Sequence, residues 1–336
     1  MTTIKDVAKR AGVHPTVVSR VLNKDQTLKI KDSTRERILE TVKELNYFPN
    51  RSAQNLKRNE TKMLGMVIPD FANPVYSEII HGAEDQAAKE GYNLMVYSMK
   101  QKGTEHNKFS HLIEGRTDGL LIAISESEDQ EIVELQESKK PFLLINRMIP
   151  GINHYVVLDD EFAGKLATDH LIQLGHRKIA HITGPFDTGT GKTRFNGYKQ
   201  AMHSNELEIL NDYVQESSYS IESGYSAMKK LLALKEPPTA VFAGSILAAL
   251  GAMRAAYEAG RTIPNDFSLV SIHDVPFADA LQPPLTTIKM PLYEMGQEAV
   301  KNLVQLIKKD TQSTHLTING AELIKRNSTA ELLSEK

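Results

Sequence analysis

Residues 4–23 read IKDVAKRAGVHPTVVSRVLN, and this stretch decides the fold of the first part of the chain. Thr3 precedes it and Asp6 follows three positions later, which is the spacing of a capping box that begins a helix. Apolar residues then recur at helical spacing as far as Gly12. Pro15, which suits the first turn of a helix, begins a second apolar stripe. The pattern predicts two short helices joined by a glycine-containing turn.

A third helix is expected to begin near Asp32-Ser33, with Glu36 placed to complete another capping box. It is expected to end before Pro49, and its apolar stripe comprises Ile38, Leu39, Val42 and Leu45. Three short helices with a glycine-containing turn between the first two form a helix-turn-helix unit, whose second helix enters the major groove of DNA. Periodicity alone would also fit any small three-helix bundle.

Charge separates this segment from the rest of the chain. Residues 1–60 hold 13 Lys/Arg against 7 Asp/Glu, and the remaining residues hold 27 against 35. A basic N-terminal segment followed by an acidic remainder indicates that the first segment binds a polyanion and that the remainder does not. A small domain with a solvated basic face is the alternative.

The predicted second helix carries four polar residues off its apolar stripe. Arginine suits a bidentate contact with guanine or phosphate, and hydroxyl and amide groups suit base edges or phosphate oxygens. The four residues are Thr16, Ser19, Arg20 and Asn23. A solvated polar face would carry the same residue types, so composition leaves both interpretations open.

From Lys62 onward, apolar runs of strand length alternate with amphipathic segments. The runs include MLGMVIP, YNLMVYS, DGLLIAI and PFLLINR, and the pattern resumes with YVVLD, RKIAHIT, PTAVFA and FSLVSI. Fully apolar strands separated by helices predict parallel sheets covered by helices on both faces. So many units over about 230 residues exceed what one sheet usually takes, so we expect two α/β lobes.

Composition excludes several classes of function. The chain has no cysteine, which rules out disulfides, thiolate metal sites and cysteine catalysis. No stretch approaches roughly 18 uninterrupted apolar residues, and MTTIKDVAKRAG lacks an apolar signal segment, so we expect a cytoplasmic protein away from membranes. His170, His176 and His181 lack the spacing of a helical metal-binding pair and are interpreted as structural. We expect no metal, no cofactor and no enzymatic activity.

Dense motifs run in order along almost the whole chain: DVAKRAGV, VSRVLN, TRERI, LNYFPN, IPDFANPVYSEI, LGHRKIAHITGP, PPLTTI and IKRNST. The sequence resembles the lactose-repressor/galactose-repressor (LacI/GalR) family of transcription regulators. The resemblance implies an all-α helix-turn-helix headpiece and a two-lobed body like a periplasmic sugar-binding protein. The implied boundaries are 1–48 for the headpiece, 49–60 for a hinge helix and linker, and 61–325 for the body, with lobe 1 at about 61–159 and 290–322 and lobe 2 at about 160–289.

The resemblance also implies which residues contact DNA. A hinge helix at 50–57 would lie in the minor groove, with Leu56 wedged between base pairs. The full set is Thr3, His14, Pro15, Thr16, Ser19, Arg20, Asn23, Thr34, Asn50, Ala53, Gln54 and Leu56.

This chain departs from the family pattern in the headpiece. His14 stands where the family usually has Ser, and Val17 where it usually has Thr. Histidine is a poor N-cap, but a cationic His14 could replace a phosphate contact, and DNA affinity would then rise as pH falls. Two extra residues follow Asn23.

In the body, the family pattern places an effector in the cleft between the lobes. The residues implied to line it are Phe71, Asn73, Tyr76, Asn146, Arg194, Tyr219, Ser245, His273 and Asp274. Aromatic faces beside Arg, Asn and Asp suit a polyhydroxylated ligand. His273 stands where the family usually has a carboxylate. An anionic or phosphorylated sugar that meets Arg194 and His273 is therefore one expectation, and an altered small-molecule response is the other.

Residues 182–193, ITGPFDTGTGKT, end like a phosphate-binding P-loop. That motif requires a glycine at the position of Phe186, so the match is partial. In the family register the string is a loop that leads to Arg194 at the cleft. A nucleotide-dependent kinase or ATPase is one rival hypothesis, and a solute-binding transport receptor is the other.

The resulting prediction is a sequence-specific DNA-binding regulator, a repressor of carbohydrate-metabolism genes, whose DNA affinity responds to a bound sugar or sugar derivative. One headpiece buries too little of the major groove for selectivity, so we expect a homodimer on a pseudo-palindromic double-stranded operator. The short segment after IKRNST cannot form a long coiled coil, which favours a dimer over a tetramer. A protein co-regulator docked on the first lobe is compatible with the sequence.

Overall fold

The computed structural model describes residues 2–23, 25–47, 60–99, 116–124, 132, 135–138, 140–310 and 313–332. The chain divides into two compact units, Met1–Thr61 and Lys62–Lys336. No helix among the described residues is long and apolar enough to cross a membrane. Four of the expected DNA contacts lie outside the described residues: Asn50, Ala53, Gln54 and Leu56.

The first unit contains the three expected helices: α1 (Ile4–Ala11), α2 (Pro15–Leu22) and α3 (Asp32–Glu44). The capping box of α1 is present, since the Thr3 hydroxyl accepts from the Asp6 N–H and the Asp6 carboxylate accepts from the Thr3 N–H. Gly12 ends α1 with φ of +64°, a left-handed conformation that favours glycine. The helices enclose a core of Val7, Ala8, Ala11, Val18, Val21 and Ile38.

Two expectations for α3 are wrong. Its N-cap is Lys31, which makes no side-chain capping bond, so the capping box with Glu36 does not form. Leu39 is 42% exposed and Thr41 is buried instead. Ile38 faces the core, and the next residue of a helix points about 100° away from it. Thr41 tolerates burial because its hydroxyl donates to the Arg37 carbonyl at 2.8 Å.

The second unit is built on two six-stranded sheets. The first sheet is entirely parallel in the order β11-β5-β4-β3-β1-β2. Its strands are β1 (Met63–Ile68), β2 (Asn93–Ser98), β3 (Gly119–Ile122), β4 (Phe142–Ile145), β5 (His154–Leu158) and β11 (Thr314–Ile318). The central strands are buried from end to end, which explains their uniformly apolar sequences.

The second sheet has the order β12-β10-β9-β8-β6-β7, and only the edge pair β10–β12 is antiparallel. Its strands are β6 (Ile179–Thr183), β7 (Val214–Glu216), β8 (Ala240–Ala243), β9 (Ser268–Ile272), β10 (Thr286–Lys289) and β12 (Glu322–Ile324). The predicted fold class, parallel sheets flanked by helices in a two-lobed body behind a helix-turn-helix unit, is confirmed.

Among the described residues of this unit, the helices that flank the sheets are α4 (Val75–Lys89), α5 (Asp160–Gln173), α6 (Gly189–Ser204), α7 (Ile221–Leu232), α8 (Ile246–Glu258) and α9 (Leu292–Lys308). The pairs α4–α9, α5–α6 and α7–α8 pack closely. The chain passes between the sheets after β5, after β10 and after β11, so three short connections join the two lobes.

The last described residues complete the second lobe. The Ser328 hydroxyl donates to the Leu269 carbonyl at 2.6 Å and accepts from the Thr286 N–H at 2.8 Å. His170 Nε2 lies 3.0 Å from the Thr329 hydroxyl. Burial lowers the pKa of His170 to about 4, so this histidine is neutral and serves packing and hydrogen bonding. Residues 326–332 therefore belong to the packed body.

His176 and His181 are also buried within the second lobe. His176 lies within 3.0 Å of the Thr239 and Ser268 hydroxyls. The His181 ring stacks on Phe242 with centroids 4.1 Å apart, and its Nδ1 lies 2.9 Å from the Phe242 carbonyl oxygen. Burial lowers the pKa of His181 to about 3. These contacts agree with a structural role for the histidines.

Candidate functional site

A cavity of about 140 Å³ lies where the carboxyl ends of the two sheets meet, which is where parallel α/β sheets bind ligands. Segments that follow β1, β3 and β4 form one wall. The start of α6 and segments that follow β7, β8 and β9 form the other. The lining residues are Pro69, Asn73, Val75, Tyr76, Ala123, Ile124, Asn146, Arg147, Thr188, Gly189, Thr190, Arg194, Tyr219, Ser245 and His273.

Seven of the nine residues expected at the cleft line this cavity: Asn73, Tyr76, Asn146, Arg194, Tyr219, Ser245 and His273. Two do not. The Phe71 side chain is 61% exposed and lines a separate surface pocket beside Ile80. Asp274 is held by neighbours outside the cavity, because its carboxylate accepts from Arg326 and from the Thr287 hydroxyl, each at 2.7 Å.

The cavity also contains residues that the sequence did not single out. Arg147 is buried and donates to the Ile124 carbonyl. It directly follows Asn146 after a buried strand, and this position is the signal that could have identified it. Thr188 and Thr190 enter with the first turn of α6, and the Thr190 hydroxyl lies 3.1 Å from the Tyr219 hydroxyl.

The string that resembles a P-loop begins helix α6. Thr188 is its N-cap and accepts from the Gly191 N–H at 3.1 Å. Lys192 is exposed and does not line the cavity, and the Thr193 hydroxyl donates to the Gly189 carbonyl at 2.9 Å within the helix. A P-loop would place this lysine and this hydroxyl beside phosphate and metal, so the geometry does not fit nucleotide binding.

A buried ion pair supports the wall made by the second lobe. The Arg194 Nε donates to Asp160 Oδ1 at 2.7 Å, and both side chains are at least nine-tenths buried. Gly164 makes this approach of α5 and α6 feasible, because a Cβ there would lie 2.3 Å from the Arg194 carbonyl oxygen. Burial raises the pKa of Asp160, and the neighbouring guanidinium opposes that rise.

The other Arg194 donors hold the ends of β8 and β9. Nη1 donates to the Gly244 carbonyl at 2.7 Å, and Nη2 lies 3.2 Å from His273 Nε2. Because a guanidinium can only donate, His273 Nε2 must accept, and the neutral ring then carries its proton on Nδ1. Burial and the Arg194 charge lower the pKa of His273 well below its usual value.

The lowered pKa of His273 favours a neutral ring, which does not support the expectation that this ring would attract an anion. The charge of Arg194 is compensated by Asp160 as well. Two buried polar atoms at the cavity, His273 Nδ1 and Asn146 Oδ1, have no hydrogen-bond partner among the described residues. Both residues have positive φ, +76° and +59°, and this backbone conformation is uncommon outside glycine.

In the headpiece, most of the described residues expected to contact DNA lie on α2 or cap it, whereas Thr3 caps α1 and Thr34 lies on α3. Thr3, His14, Thr16 and Asn23 are exposed, and Pro15, Ser19, Arg20 and Thr34 are half-buried. The expectation that His14 is a poor N-cap is wrong here, because its Nδ1 accepts from the Thr16 N–H at 3.3 Å.

Comparisons with known proteins agree with both units. Residues 3–50 match the family described as bacterial regulatory proteins, lacI family, and residues 168–329 match a periplasmic binding protein-like domain. The HTH-type transcriptional repressor PurR of Mannheimia succiniciproducens is 35% identical over 331 residues, which cover 97% of this chain and 98% of the relative.

Two solved structures extend the likeness to the whole fold. The lac repressor dimer bound to operator and the anti-inducer ONPF is 29% identical with a TM-score of 0.84, and the match covers 98% of this chain and 99% of that one. A complex of the transcriptional regulator CelR with cellobiose is 30% identical with a TM-score of 0.74, covering 98% and 100%.

The fold and the family matches define a helix-turn-helix regulator with a periplasmic binding protein-like body. The chain belongs to the LacI family of bacterial regulatory proteins. It is a DNA-binding transcriptional repressor, and its relatives are repressors rather than enzymes. The family resemblance read from the sequence is thereby confirmed.

The ion pair of the cavity wall gives a testable prediction. Asp160→Asn leaves the Arg194 charge buried without a counter-charge, so the free energy of unfolding should fall by about 3–5 kcal/mol. Chemical denaturation of the full chain measures this change. Asp159→Asn is the matched control, because Asp159 caps α5 and Asn is an equally good N-cap. Equal, small effects of the two variants would contradict the proposed importance of the pair.

Proposed function

We propose that this repressor reads its operator with α2 and that a small, neutral, polyhydroxylated molecule binds between the lobes and changes its affinity for DNA. The observation that carries the ligand proposal is the pair of unsatisfied polar atoms at the cavity, His273 Nδ1 and Asn146 Oδ1. A buried polar atom without a partner costs about 1–3 kcal/mol, so a ligand that satisfies both atoms binds with that gain.

The chemistry of the cavity favours a neutral ligand with hydroxyl groups. His273 offers an N–H donor and Asn146 offers an acceptor, and a hydroxyl can both accept and donate. Tyr76 and Tyr219 add aromatic surface, and the Arg194 charge is compensated by Asp160. The similar CelR structure is a complex with cellobiose, which supports a carbohydrate as the class of effector. A neutral His273 removes one of the two groups, Arg194 and His273, on which the anionic alternative relied.

Ligand contacts from both lobes provide the coupling to DNA. Asn146 follows a strand of the first sheet, and His273 and Ser245 follow strands of the second sheet. A molecule that bridges them stabilises one arrangement of the lobes over others. If the ligand changes the affinity for the operator by a given factor, the operator must change the affinity for the ligand by that same factor. We propose a cytoplasmic homodimer on a pseudo-palindromic operator, and the similar lac repressor dimer bound to operator supports this assembly.

The DNA-reading role of α2 is tested through Arg20. An operator is first selected from random duplexes with the wild-type protein. Arg20→Ala should then weaken operator binding by about 1–3 kcal/mol, because a bidentate contact with a base is lost. Fluorescence anisotropy at fixed salt measures the affinity.

Arg10→Ala is the control for this variant. Arg10 lies on α1, is well exposed and faces Glu44 at 3.6 Å, so the variant removes the same charge without touching α2. If both variants weaken binding equally and neither changes the preferred bases, Arg20 acts only as a general positive charge.

The ligand class is tested by thermal unfolding of the full chain with neutral sugars, sugar phosphates and nucleobases. A neutral sugar should stabilise the protein by about 2.7 kcal/mol at a hundred times its Kd, whereas its phosphate should not. The shift should survive in His273→Asn, which keeps an N–H donor and tolerates positive φ, and should disappear in His273→Leu.

Each other result rejects a defined part of the proposal. Stabilisation by sugar phosphates alone would contradict the neutral ligand. Stabilisation by a nucleobase and by no sugar would retain the cavity and reject the carbohydrate class. An equal shift in His273→Leu would place the ligand away from His273.

A further inference from the structure

The turn that follows α2 is anchored to the helix it leaves. The Asp25 N–H donates to the Arg20 carbonyl at 3.0 Å, and the Leu28 N–H donates to the Asp25 carbonyl at 3.3 Å. These bonds fold the turn back against the last residues of α2. The turn therefore brings an acidic side chain, Asp25, to the end of α2.

Asp25 and Thr27 hold one edge of the Arg20 guanidinium. The Arg20 Nε donates to Asp25 Oδ2 at 2.7 Å, and Nη2 donates to the Thr27 hydroxyl at 2.8 Å. Asp25 Oδ1 in turn accepts from the Thr27 N–H at 2.8 Å and from its hydroxyl at 2.7 Å. The hydrogen bonds from Arg20 and Thr27 lower the pKa of Asp25 to about 2, so the carboxylate is ionised at any working pH.

The opposite edge of the guanidinium has no such partner. Nη1 makes no hydrogen bond to any residue that the structure describes. A guanidinium carries five N–H donors, and the two bonds to the turn leave three of them, two on Nη1 and one on Nη2, as a fork for other acceptors. Guanine presents two acceptors, O6 and N7, at the spacing of such a fork.

We propose that Asp25 is a positioning residue for base recognition: with Thr27 it holds Arg20 so that the free end of the guanidinium reads one base of the operator. The arrangement acts in two ways. It orders a long side chain before DNA arrives, which lowers the entropy lost on specific binding. It also places a negative charge beside Arg20, which disfavours phosphate as a competing partner.

This inference rests on the proposed contact of Arg20 with a base, so the test must examine that contact and the positioning role of Asp25 separately. The wild-type full chain first selects its operator from random duplexes. Affinities are then measured for that operator and for the three alternatives at each base pair, at fixed salt. The base pair at which Arg20→Ala no longer discriminates is the one that Arg20 reads.

At that base pair, Asp25→Asn should reduce discrimination by about tenfold, equivalent to about 1.4 kcal/mol. Binding to unselected duplex DNA should tighten, and the slope of log K against log salt should steepen by about 0.9 as the released Arg20 meets a phosphate. Thr27→Val, which removes only the hydroxyl that accepts from Nη2, should reduce discrimination in the same direction and by less.

Glu40→Gln is the matched control, because Glu40 is exposed on α3 and the variant makes the same change of charge. It should leave base discrimination at the wild-type value, and circular dichroism checks that each variant is folded. Unchanged discrimination in Asp25→Asn, or discrimination that increases because Asp25 had competed with the base, would overturn the proposal. If Arg20→Ala alters no base preference, the contact of Arg20 with a base is rejected, and the positioning role of Asp25 is rejected as well.

Discussion

The ligand-binding body depends on one buried ion pair. A guanidinium keeps its charge in a protein, so an arginine in an apolar interior requires a counter-charge and a partner for its donors. Asp160 supplies the charge, and the Gly244 carbonyl and His273 supply further acceptors. These groups come from α5 and from the ends of β8 and β9. Arg194 therefore holds three segments of the second lobe together at the cavity wall.

The same pair determines what the cavity can recognise. An Arg194 without Asp160 would make the site a receptor for anions. With the Arg194 charge compensated and His273 held neutral, these two residues present hydrogen-bonding atoms to a ligand. A comparable arrangement occurs in the headpiece, where Asp25 engages an edge of Arg20. In both units an aspartate converts an arginine from a general attractor of anions into a directed donor.

The sequence predicted the elements well, because strands buried on both faces and helices with caps leave local signals. The apolar runs identified the sheets, and Thr3 and Gly12 marked the ends of α1. Contacts made over long sequence separations left no such signal. Nothing local indicates that Arg326 holds Asp274 away from the cavity or that burial keeps His273 neutral. The sequence indicated which side chains line the cavity, but their hydrogen-bond partners and charge states depend on packing.

The central claim is that a ligand between the lobes and the operator act on one equilibrium of the full chain. The most direct test is a pair of titrations by calorimetry: operator affinity with and without saturating ligand, and ligand affinity with and without saturating operator. The account predicts that both affinities change by the same factor, about 5–150-fold, because linkage is reciprocal. A ligand that binds tightly while leaving operator affinity unchanged would contradict it.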